Sequence, residues 1–286
     1  MRISRNLIPY LQVAPLALIL LIFLGIPLVT VVVVSFFDYA NYQVYPDFIL
    51  LNYIELFQSK LTYQLYASMI KFGLIVWSLT LVIGFAVSYF LVFHVRSLLW
   101  KIAFFLVCTV PFWTSNIIRM ISWIPVLGRQ GLVNQSLMSL GIIDVPLDFL
   151  LFSDFAVIVA YVHLFTLFMI VALFNSMARI NPDVIEAAVD AGASRWRVIT
   201  QIVIPLSKTG IALGSIFVIA LVMGDFFVVK IMSGGQSASV VFAMWNEIAM
   251  LQYPSAAASS VVLLIIVTLM VAAILRVVNI RKELSG

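Results

Sequence analysis

Charged positions along the chain bracket long uncharged apolar runs: Arg5 to Asp38, Lys71 to His94, Lys101 to Arg119, Asp154 to Arg179 and Glu247 to Arg276. A further run from Thr209 to Ile231 is interrupted by Asp225. A bilayer core about 30 Å thick is crossed by about 20 apolar helical residues, so each run is long enough to span. The pattern therefore predicts six spanning helices, at roughly 13–36, 68–93, 101–122, 154–177, 209–231 and 256–278. Strands of a membrane barrel would alternate apolar and polar residues over about ten positions. These runs are continuous in Leu, Ile, Val and Phe, and in lipid such a backbone satisfies its own hydrogen bonds as helix.

The polar stretches between the runs differ in character. Residues 38–67 are too polar and aromatic to span. In 123–153, Pro and Gly punctuate a chain in which LVNQSLMSL predicts a short surface helix, and 232–255 opens on Ser233-Gly234-Gly235-Gln236-Ser237. The spans show no internal repeat, which counts against transporters built from inverted halves. The most charged connection is 178–208.

Composition agrees with the runs: 64% of the residues are hydrophobic and 10% charged, which excludes an ordinary soluble domain. Lys and Arg accumulate on the cytoplasmic side of membrane proteins. Placing the N-terminus in the cytoplasm puts eleven of the sixteen inside and leaves Lys60, Lys71, Arg119, Arg129 and Lys230 outside. Both termini are then expected to be cytoplasmic. A basic inner collar accounts for the net charge of +4 without any nucleic-acid partner. The first run is longer than a signal-peptide core and lacks a small-x-small cleavage site before Asp38, so it is expected to stay as a span. The lone Cys108 excludes an internal disulfide and a Cys-based metal site. With only His94 and His163, and no H-E-x-x-H, no metal or catalytic constellation converges, and an intramembrane enzyme is disfavoured.

Local signals in 178–208 predict two short helices. Asn181 can cap the first, Pro182 opens it, Asp183 and Glu186 complement its positive end, and Gly192 supplies a left-handed stop. Ser194 starts the second, in which Trp196, Ile199 and Val203 recur at helical spacing as an apolar stripe and Pro205 closes the element. On composition alone, a hairpin lying on lipid is an equal reading. The string Glu186-Ala187-Ala188, Gly192, Ile202-x-Ile204-Pro205 resembles the EAA signature of binding-protein-dependent ABC importer permeases, departing from it only in Ile204 where Leu is usual. Three softer stretches are similar to the spermidine/putrescine subgroup: Pro111 to Asn116 with Ile117-Ile118-Arg119, Gly141-Ile142-Ile143-Asp144 before a Pro, and Gly224-Asp225-Phe226 to Gly235.

The resemblance covers nearly the whole chain. It implies an all-α integral membrane protein with the type I ABC importer permease fold, a single permease domain over 1–286, multi-pass in the bacterial inner membrane. The loop would dock on an ATPase, with Glu186, Ala187, Ala188, Asp190, Gly192, Ala193, Arg195 and Pro205 as the coupling residues. The chain has no G-x-x-x-x-G-K-[ST] phosphate loop, so ATP and Mg are expected on a partner ATPase dimer, with no cofactor here. A second homologous permease chain, or a second copy of this one, and a periplasmic solute-binding protein complete the implied assembly. Its solute would be small and cationic or amine-bearing: a polyamine, an amino-acid derivative or an opine-like compound. The competing reading is a secondary transporter or channel with no ATPase.

An ionisable group within a span tends to face protein or a water-filled cavity. Asp225 would suit an ammonium-bearing solute; equally, it could pair with Lys230 or Arg119. Pro111 interrupts the third span, so Trp113, Ser115 and Asn116 are candidates for the pathway, with Trp113 alternatively an interfacial aromatic. Phe226 and Tyr161 join that set, while His163 is expected to hydrogen-bond within the bundle and Glu247 to be a solvated outer carboxylate.

Overall fold

The apolar runs form helices in the structure, a computed structural model that describes residues 8–40, 42–235, 237 and 239–278. Arg2, Arg5, Arg281 and Lys282, which enter the charge argument, lie outside the described residues, as do Asn41 and Gln236. Helix α1 (8–34) is followed by a hairpin of β1 (Asp38–Ala40) and β2 (Gln43–Tyr45), then α2 (Leu51–Gln58) and α3 (Lys60–Phe93). Next come α4 (Leu98–Thr109), α5 (Asn116–Ile121), α6 (Ile124–Leu127), α7 (Leu132–Ser139) and α8 (Asp154–Met177). The chain continues with α9 (Pro182–Asp190), α10 (Arg195–Leu206), α11 (Lys208–Gly224), α12 (Phe227–Met232), α13 (Val240–Ala249) and α14 (Tyr253–Val278).

Four helical stretches among the described residues are long and apolar enough to cross a membrane: Gln12–Val34, Lys60–Phe93, Asp154–Met177 and Tyr253–Arg276. Two more candidates are bent pairs: Leu98–Trp113 with Asn116–Ser139 at 94°, and Arg195–Leu206 with Lys208–Gly224 at 68°. The number of spans is thus four, or up to six if each bent pair is one. The interruption expected at Pro111 in the third run, 101–122, is present as the 94° bend. Pro111 has no N–H to donate, the chain tightens to a 3-10 turn over Val110–Trp113, and the helix restarts at Asn116. The fifth span ends at Gly224 rather than running to 231, because Asp225 is extended, with φ −95° and ψ 138°.

Two π turns share one sequence cause. Ile26 N–H donates to Leu21 O and Ile204 N–H to Ile199 O, and each isoleucine precedes a proline, Pro27 and Pro205. A proline in a helix loses a bond and crowds the carbonyl one turn back, and a widened turn relieves that crowding. Pro205 therefore does not close the second loop helix, which continues to Leu206.

Two compact units can be distinguished. One comprises the described residues up to 64 together with 243–265. There Asn52 Nδ2 donates to the Ser35 and Phe37 carbonyls at 3.0 and 2.9 Å, and Ser35 Oγ and Tyr53 OH share a 2.7 Å bond, tying α2 to the end of α1. No residue of α1 from Gln12 to Val34 is buried, as a lipid-facing helix requires.

The other unit, 65–242 with 266–278, is built around α8, whose Val157, Ala160, Tyr161, Leu164, Met169 and Leu173 are buried. Its closest neighbour is α11, and Gly210-x-x-x-Gly214 makes the approach possible. A Cβ on Gly210 would lie 2.5 Å from Ser176 Cβ, and one on Gly214 2.5 Å from Met169 Sδ. Gly84 of α3 gives way to Met169 in the same manner, at 2.7 Å. Without a hydrophobic driving force between helices in lipid, close contact through small residues and interhelical hydrogen bonds replaces it. Ser88 Oγ donates to Ile170 O at 3.1 Å, and Trp77 Nε1 to Ser215 Oγ at 2.7 Å.

Candidate functional site

The loop between α8 and α11 is a capped helix, a turn and a second capped helix. Asn181 Oδ1 accepts Asp183 N–H at 3.0 Å, and Ser194 Oγ accepts Arg197 N–H at 3.4 Å, each satisfying an amide that the helix start leaves open. At the other end of α9, Gly192 N–H donates to Val189 O and Ala193 N–H to Ala188 O, both at 2.9 Å. That pair of bonds is a Schellman stop, and it needs Gly192 in the left-handed region, at φ +85°. Ala188 and Ala193 pack onto the core, while Glu186, Ala187, Asp190, Arg195 and Pro205 are exposed.

The apolar stripe expected in α10 is not one face. Val198 and Val203 point inward, whereas Trp196 is 72% exposed. The π turn over Ile199–Val203 adds a residue to one turn and shifts the register between Trp196 and Val203. The outer surface then carries Val184, Val189 and Trp196 among acidic and basic groups. Exposed apolar side chains rimmed by charge mark a contact surface.

Inside the bundle, Tyr161 and Asp225 come together. Tyr161, 1% exposed, donates its hydroxyl to Asp225 Oδ1 at 3.4 Å and stacks on Phe165 at 5.6 Å. The same Oδ1 accepts Val228 N–H at 2.9 Å, so the carboxylate caps α12 across the break after Gly224. Sequence reading put Asp225 within a span; it stands at a helix interruption. Phe226 is half-buried and meets Phe227 edge to face. Arg119 turns to Asn116 Oδ1 and to the Phe112 ring, 5.6 Å away, and Ser115 precedes α5 without a side-chain cap bond.

A groove of about 1230 Å³ runs along α8 between α4 and α11. Of the pathway residues expected from sequence, Trp113 lines it; Ser115, Asn116, Tyr161, Asp225 and Phe226 do not. Its polar end, Asn175, Ser176, Arg179 and Asn181, was missed, although polar residues at helical spacing near the end of an apolar run were a usable signal. His163 does bond within the bundle, as acceptor from Trp123 Nε1 at 2.9 Å. Glu247 is not a solvated carboxylate. It is half-buried, Oε1 accepts Ser255 Oγ at 3.0 Å, and burial pushes its acid above the usual range while that bond pulls it back. No group of three or more His, Cys, Asp or Glu able to hold a metal occurs among the described residues.

No family model matches the chain. It is 33% identical over 223 residues to the spermidine/putrescine transport system permease protein PotB of Escherichia coli K12, covering 76% of this chain and 78% of that one. It is 28% identical over 280 residues to the osmoprotective compounds uptake permease protein GgtC of Synechocystis, covering 95% and 97%. A chain in the crystal structure of a bacterial alginate ABC transporter, in complex with a periplasmic protein carrying an alginate pentasaccharide, superposes with a TM-score of 0.73. The match covers 99% of this chain and 96% of that one at 16% identity, and establishes a shared fold.

Proposed function

This chain belongs to the inner-membrane ABC transporter permease family that includes the PotB spermidine/putrescine permeases, and from that premise we propose that it is the membrane subunit of an ATP-driven importer. The observation that carries the reading is the exposed, doubly capped helix–turn–helix over 182–206, which presents Glu186, Val189 and Trp196 outward. In this reading the loop seats in an ATPase subunit. ATP closes the ATPase dimer, and the paired loops draw together and turn the spans from inward-open to outward-open. ATP and Mg bind the ATPase, not this chain. Six spans with both termini cytoplasmic place the loop on the ATPase side. A second permease chain completes the pathway, and a periplasmic binding protein delivers the solute. The alginate transporter was crystallised in complex with such a periplasmic protein.

The solute we propose is small and cationic or amine-bearing, and Asp225, supported by Tyr161, is its counter-charge, with Trp113, Ser115, Asn116 and Phe226 along the path. PotB relatives are named for spermidine and putrescine, which fits a carboxylate at the break in the fifth span. Rigid transmission through the turn is the critical demand. Two residues inserted at Gly192 are expected to abolish coupled uptake while the chain still reaches the membrane. Uptake in vesicles and ATPase activity, measured together, check this; coupled transport that survives the insertion rejects rigid transmission through this turn, and uptake that proceeds without ATP hydrolysis rejects the importer reading in favour of a transporter that needs no ATPase.

A further inference from the structure

The groove along α8 is not its only recess. On another face of the helix, Val159 and Val162 join Leu79 and Ile83 of α3 and Phe112 to wall a second cavity of about 590 Å³. Its walls are apolar, and no acidic residue lines it. One edge is formed by Arg119 and His163.

Arg119 is only 6% exposed. One terminal nitrogen donates to Asn116 Oδ1, but its buried Nε has no acceptor. The ion pairs among the described residues, Lys71 with Asp154 and Arg129 with Asp148, do not include it. A buried guanidinium without a counter-charge is costly, and a carboxylate paired with its terminal nitrogens supplies the missing charge. His163 adds to the same polarity. Its Nδ1 accepts the Trp123 N–H, so the neutral ring carries its proton on Nε2 and has a donor there. Thr166, also on the lining, already gives its hydroxyl proton to Val162 O at 2.5 Å. The recess therefore combines apolar walls with one cationic, donor-rich edge, the wrong sign for an ammonium.

We propose that this cavity is a binding site for a monocarboxylate on an apolar body, with the carboxylate on Arg119 and His163 and the body along Leu79, Ile83 and Val159. The site is separate from the Tyr161–Asp225 pair and takes the opposite charge.

The test uses the full-length chain, purified with the subunits that accompany it and held in lipid nanodiscs. Radiolabelled dodecanoate, dodecanol and dodecylamine are titrated at neutral pH. Dodecanoate is expected to bind saturably and the other two not. Arg119→Gln is expected to weaken dodecanoate by about 10-fold or more, the size of a lost charge-assisted bond. Ile83→Trp, a change on the half-exposed wall, is expected to block it and carries the decision if the Arg119 variant does not insert. Equal binding of the three probes, undiminished binding in both variants, or no saturable dodecanoate binding because lipid tails or a neighbouring subunit fill the cavity overturns the proposal. Uptake of cationic solutes is read in separate vesicles, so failure of the importer reading leaves this result intact.

Discussion

Asp225 holds two positions that one carboxyl group can fill at once: it caps α12 through the Val228 N–H, and it accepts the hydroxyl of a buried tyrosine, where the proposed function asks it to carry the counter-charge. Asn at this position can still accept the Val228 and Tyr161 bonds but has no charge. Asp225→Asn is therefore expected to leave the amount of protein in the membrane unchanged and to lower uptake of a cationic solute by about 10- to 100-fold, the range of a charge-assisted hydrogen bond. Unchanged uptake of every cation tried would reduce Asp225 to a structural cap. Each member of this pair was visible separately in the sequence, the carboxylate by its rarity in an apolar run and the tyrosine as a polar group within a span. Their meeting was not, because 64 residues separate them and no local pattern encodes a contact across two helices.

The loop helices were legible nearly to the residue, since capping is local chemistry. Asn181, Pro182, Gly192 and Ser194 each act within four positions of themselves. What sequence periodicity could not give was the direction of Trp196. One widened turn ahead of Ile204-Pro205 rotates everything beyond it by about a residue, and a fixed 3.6 period does not register that change. The exposed indole leads to a clear separation of effects. Trp196→Ala is expected to change the thermal stability of the purified chain by less than about 0.5 kcal/mol, as surface substitutions do. It is expected to weaken co-purification of the ATPase severalfold, because an exposed aromatic is the usual anchor of a contact. A melting curve and a pull-down distinguish the two, and an undiminished pull-down would remove Trp196 from the interface.

At the scale of the whole chain, hydropathy located the long apolar runs but missed the shorter apolar helix Val240–Ala249 and could not say which runs were straight. Pro111 and Asp225 decide that by removing a donor and by taking an extended backbone, and both act on geometry while leaving average hydropathy high. The close pairing of α8 with α11 was similarly hidden, since Gly210 and Gly214 look like weak helix positions until a neighbour is placed against them. Gly210→Leu is expected to destabilise the chain in detergent by about 1–3 kcal/mol, because its Cβ would also fall 2.6 Å from the Ala172 carbonyl, which cannot step aside. Leu213→Ala, on the groove side of the same helix, serves as the comparison and is expected to cost much less. Equal losses in the two variants would mean that the close approach does not set stability.

Helix α3 has a final consequence. Its 34 residues form one unbroken rod of about 51 Å, some 20 Å more than a bilayer core takes up. In the importer proposed above, such an overhang would serve as a lever. A tilt of only about 10° at one end sweeps the far tip through about 9 Å, so a small rocking at one membrane face becomes a large displacement beyond the other.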